Sequence, residues 1–195
     1  MNRGGLVVAI LASIAGFPFE PLDAPAWSGL FFTVWALGLV AATGLLAVDD
    51  ARAGDDVAAI GFAAVALYGV GTTLNSSLLA RGLAEASVGV QPGVWAMLAL
   101  GLGLLALSRR LPVWVRVTGL LAGVGHAVAA TAVLFGAELP PTGGEPTEWP
   151  SLVVAVSKLA LWAAMIGWIL TVRRRTGVAE IDAPTQPGQP VGSGR

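Results

Sequence analysis

Residues 27–79 read WSGLFFTVWALGLVAATGLLAVDDARAGDDVAAIGFAAVALYGVGTTLNSSLL, two apolar runs, Trp27 to Val48 and Val57 to Leu79, joined by a short charged turn. A hydrocarbon core about 30 Å thick needs about 20 apolar residues at a rise of 1.5 Å each, because every backbone N–H and C=O must be paired inside its own helix. Both runs meet that length. The same pattern recurs at Val88 to Leu107, Val113 to Phe135 and Ser151 to Val172, in a chain of mean hydropathy +0.77 with only 12% charged residues. The expected fold is therefore all-α, a polytopic membrane helix bundle.

A sixth run, Gly5 to Phe19, is short and closely followed by Pro18 and Pro21. We read it as a retained span, giving six transmembrane helices in a domain over residues 1–176. The alternative is a signal peptide, with Arg3 as its positive end and Leu6 to Phe17 as its apolar stretch. Gly177 to Arg195, rich in Pro and Gly, is expected to be a disordered tail.

Arginine placement orients the bundle, since cytoplasmic loops collect Lys and Arg. With the N-terminus inside, Arg3, Arg52, Arg109, Arg110, Arg116, Arg173, Arg174, Arg175 and Arg195 fall on the cytoplasmic side and Arg81 alone falls outside. Both termini are thus expected in the cytoplasm of a multi-pass protein of the cell membrane. Trp27, Trp114 and Trp149 mark span ends, as an aromatic belt requires.

Composition excludes several chemistries. There is no cysteine, hence no disulfide, thiolate metal site or cysteine nucleophile, and a single histidine precludes a bis-histidine haem or a multi-histidine zinc site within one chain. No catalytic constellation, metal site or cofactor is indicated. A net charge of −1 without a basic patch beyond Arg173–Arg175 argues against nucleic acid. The lipid bilayer is the one certain surrounding.

Polar groups inside spans carry a free-energy cost and usually face the bundle interior or a water-filled cavity. Lys158 lies about 10 Å from the outer end of the last span, close enough to snorkel toward Glu138, Glu148 or Glu20. His126 follows Gly119-Leu120-Leu121-Ala122-Gly123 on the same helical face, where small residues admit another helix or a second copy of the chain. Tyr68, Thr72 and Asn75 repeat at helical spacing, with Gly61 seven residues earlier on the same stripe. These five, Lys158, His126, Asn75, Thr72 and Tyr68, form the candidate ligand site. The expected activity is solute binding or transport from a polar pocket in the outer half of the bilayer. The competing expectation is an accessory subunit whose polar residues only join helices, the Gly119/Gly123 face meeting a membrane partner.

The turn Asp49-Asp50-Ala51-Arg52-Ala53-Gly54-Asp55-Asp56 superficially resembles part of the metal-binding motif of the CDP-alcohol phosphotransferases. The motif's leading Asp-Gly falls on Ala47-Val48, and its later aspartates on Val65 and Gly69. A solvated acidic turn is the expectation that remains.

Overall fold

The computed structural model describes residues 9–11, 25–136 and 149–181. Five long helices follow one another: α1 (Pro25–Arg52), α2 (Asp56–Ala80), α3 (Ala84–Leu107), α4 (Val113–Leu134) and α5 (Trp149–Ile181). Residues 9–11 are also helical, and Ile10 is 2% exposed within the common core. No strand occurs among the described residues. All five long helices are long and apolar enough to cross a membrane, so the chain is an all-helical, multi-pass membrane protein.

The surface carries the signature of an apolar solvent. Leu37, Ile60, Leu67, Leu100, Leu121 and Leu159 all turn outward, whereas Thr43, Asn75, His126 and Ser157 are buried. Polar groups inside and leucines outside suit a bundle whose surroundings are hydrocarbon.

With lipid outside, apolar burial does not drive helix association; close packing does, and small residues permit it. Each successive pair of helices packs together, and each interface contains a glycine where a Cβ would stand closer than ordinary contact, below 3.0 Å in all but the α3–α4 pair. On α1–α2, a Cβ at Gly69 would stand 2.8 Å from Val40 Cγ2; on α2–α3, one at Gly101 would stand 2.8 Å from the Gly61 carbonyl oxygen. Gly123 lies against Ala99 and Leu102 of α3, and Gly125 and Gly167 against Ser157 and Val115 across the α4–α5 contact. The expected glycine face of α4 is thus filled by α3 at Gly123, while Gly119 meets only Leu102 Cδ2, at 3.9 Å.

Three helix ends differ from the expectation by four residues or more, the first being α1, which runs on from Val48 through Asp49 to Arg52. α3 begins at Ala84 rather than Val88, and α5 runs to Ile181, so residues 177–181 are helical and not disordered tail. Hydropathy marks only the part of a helix that lies in lipid, whereas intrahelical hydrogen bonds carry on into water wherever the residues permit. Val178 to Ile181 permit it, and Pro184 is the first residue that cannot continue the ladder. Residues 182–195, and most of the Gly5 to Phe19 run, lie outside the described residues.

Candidate functional site

α2 carries the polar stripe toward its neighbours. Asn75, buried, donates a short hydrogen bond from Nδ2 to Oε1 of Gln91 on α3. An interhelical bond of this kind contributes about 0.6 kcal/mol. Further down the same face, the Tyr68 ring stands edge-on to His126 of α4 at 6.4 Å between centroids, and edge-on to Trp35 of α1 at 6.4 Å. Trp95 of α3 also meets the imidazole edge to face, again at 6.4 Å. Four helices therefore each send one ring to the same level.

His126 is completely buried. Its Nδ1 lies 2.8 Å from the carbonyl oxygen of Ala122, one turn earlier. A carbonyl only accepts, so Nδ1 bears a hydrogen and donates it to Ala122. The neighbouring Gly125 faces Ser157 of α5, next to Lys158, which is half-buried.

Thr72 departs from the behaviour of the other intramembrane hydroxyls. Thr43, Thr73, Ser76, Ser77, Thr131, Ser157 and Thr171 each donate to the carbonyl four residues earlier. That bond satisfies a hydroxyl without help from another helix. The Thr72 Oγ1 is buried and has no hydrogen-bond partner. It lies one turn from Tyr68 and from Asn75, on the stripe that faces α3 and α4.

The structure thus brings Tyr68 and His126 together, with Thr72 and Asn75 on the same stripe of α2 as a polar column; Lys158 follows Ser157, which faces Gly125 of α4 rather than the stripe itself. Sequence reasoning missed three members. Gln91 was visible as an amide inside a span, and Trp35 and Trp95 as tryptophans far from either belt, where the indole N–H needs a partner that hydrocarbon does not supply.

Neither of two cavities in the bundle is lined by the column. An open groove of about 320 Å³ runs between α1 and α2, bounded by Leu37, Val40, Val70, Thr73, Leu74 and Ser77. The other is a void of about 10 Å³ among Leu46, Asp50, Phe62, Leu111, Trp168, Thr171 and Val172.

The acidic turn is the main correction. Asp50 is 1% exposed, and it lies 3.9 Å from Nη1 of Arg110, whose Nε stands 3.6 Å from Asp55 Oδ2. Asp55 also caps α2, accepting the Ala58 N–H at 3.1 Å, and takes the Ser108 hydroxyl hydrogen at 2.9 Å. Arg110 donates to the Ala53 carbonyl as well. Two of the four aspartates are therefore locked to the α3–α4 connection rather than solvated. Neighbouring helices of similar length bring the two connections to one height; nothing in local spacing signals a pair so distant in sequence. Among the described residues, no three acidic or histidine side chains gather as metal ligands.

No family model, curated protein or solved structure matches the chain. The reading of its function therefore rests on geometry.

Proposed function

We propose that the chain is a six-span protein of the cell membrane, both termini cytoplasmic, that binds and moves a small anionic or protonatable solute. Tyr68, Thr72 and Asn75 supply hydroxyl and amide contacts, His126 a proton-accepting nitrogen, and Lys158 the counter-charge. Arginine asymmetry supports the orientation, and the burial of Ile10 in the core supports the first apolar run as part of the bundle.

The observation that carries the reading is the Thr72 hydroxyl. A buried polar group without a partner costs about 1–3 kcal/mol, and its own helix offers the back-bond that its neighbours take. A solute or water in the column supplies the missing bond. The second reading, an accessory subunit, is favoured by the packing: His126 is wrapped by Tyr68 and Trp95, and neither cavity reaches it.

Uptake by proteoliposomes of small carboxylates, phosphate and amino acids separates the two. The transport reading expects a solute whose uptake is lost in Asn75→Leu and in Lys158→Met while both variants remain folded. Uptake of nothing in the panel above protein-free vesicles favours the accessory subunit.

A further inference from the structure

At the end of the bundle that the arginines place in the cytoplasm, one cation joins two connections. Asp50 closes α1, Asp55 opens α2, and Arg110 and Ser108 belong to the segment between α3 and α4. Immediately inside this clasp is the void of about 10 Å³, with Asp50 and Thr171 in its wall. Above the void, the Phe62 and Trp168 rings meet edge to face at 5.2 Å, joining α2 to α5 across the interior. Phe62 precedes Tyr68 by six residues, about 9 Å along the helix. From the cytoplasm inward the order is clasp, void, apolar plug, aromatic level with His126, then Thr72 and Asn75.

We propose that the Asp50–Asp55–Arg110 clasp is the cytoplasmic gate of the solute path, held shut in this structure; the inference rests on the transport reading above. Three features suit a lock that releases. Both ion pairs are long, at 3.9 and 3.6 Å, and the Arg110 side chain is 38% exposed while that of Asp50 is 2% exposed. Water therefore reaches the cation without first unpacking the carboxylate. Ion pairs of this kind add little net stability compared with apolar packing, and their best-attested use is to select one arrangement over another. The void beneath gives Asp50 and the plug a place into which water enters once Arg110 withdraws. Release parts the α1–α2 pair from the α3–α4 pair at this end alone, the movement that exposes a midplane site to one side of a membrane.

The chain contains no cysteine, so Thr171→Cys, a near-isosteric change in the wall of the void, is a single reporter. In proteoliposomes whose cytoplasmic face is outermost, a charged, membrane-impermeant thiol reagent should modify it slowly. Arg110→Gln should accelerate modification about tenfold, and Arg110→Lys, which keeps the charge, far less. Asp55→Asn retains a capping side chain and removes one carboxylate; it should also accelerate labelling, and serves if Arg110→Gln does not fold. Rates within about twofold of the parent in folded Gln and Asn variants would overturn the gate. The reporter reads access without any solute. Accelerated labelling with no uptake in the panel therefore sinks the transport reading and leaves a movable lock, whereas unchanged labelling with intact uptake sinks the gate alone.

Discussion

Gly101→Ala and Gly103→Ala, two residues apart on α3, measure directly how much of the bundle rests on close backbone approach. A methyl at position 101 would stand 2.8 Å from the Gly61 carbonyl oxygen, 2.8 Å from Val65 Cγ2 and 3.0 Å from the Val65 nitrogen; at position 103 it would meet nothing within 4 Å. Both changes gain the same helix preference of alanine over glycine, about 0.5–1 kcal/mol. The difference between them is therefore the steric term alone. Two of the three obstructing atoms at position 101 are backbone, so the collision is not relieved by rotating a side chain; α2 and α3 must move apart by several tenths of an ångström. Overpacking of that kind costs about 1–3 kcal/mol. Thermal unfolding in one detergent, followed by loss of the monodisperse peak on size exclusion, should rank Gly103→Ala at or above the parent and Gly101→Ala below it. Equal midpoints for the two variants would refute the packing argument, since they differ in nothing else.

Gly123→Leu should destabilise the bundle because its backbone lies against Ala99 and Leu102, while Leu120→Ala, at an outward position, should shift the midpoint little; the same unfolding assay decides. Single cysteines at Ala53 and Arg109 should react with an impermeant thiol reagent from one side of the membrane and one at Ala86 from the other, and labelling of all three from one side would overturn the alternating spans. Lys158→Met should leave folding intact and abolish uptake, whereas a purely structural lysine would tolerate Met and instead be sensitive to Glu138→Gln or Glu148→Gln.

The helices were legible because lipid imposes a length. Five runs of about 20 apolar residues correspond to five helices, with ends differing where helix-competent residues, such as Asp49 to Arg52, Ala84 to Ser87 and Val178 to Ile181, extend them beyond the apolar run. The packing role of Gly123 was equally legible from its spacing with Gly119, whereas glycine inside an apolar helix is no sufficient signal, since Gly103 meets nothing within 4 Å. The periodicity of Tyr68, Thr72 and Asn75 placed them on one face, but what faces them depends on how α2 rotates against α3 and α4. Gln91, Trp35 and Trp95 therefore entered only with the structure. The clasp was the least legible feature: Arg110 reads in isolation as a topology anchor, and Asp50 and Asp55 as a soluble turn. Their partnership arises from the common height of two connections, a tertiary fact with no local signal.

The central claim is that the column on α2 is a path for a polar solute rather than a seam between helices. Thr72→Cys tests it most directly, with Leu67→Cys, at an outward-facing position on the same helix and away from the α1–α2 groove, as the lipid-facing control. In sealed cells, a small charged thiol reagent added outside should progressively modify the Thr72→Cys variant while the Leu67→Cys variant stays inert, since a solute path would admit water to the column alone. An inert thiol in a folded, membrane-inserted Thr72→Cys variant would contradict the account and leave the polar residues as joints between helices.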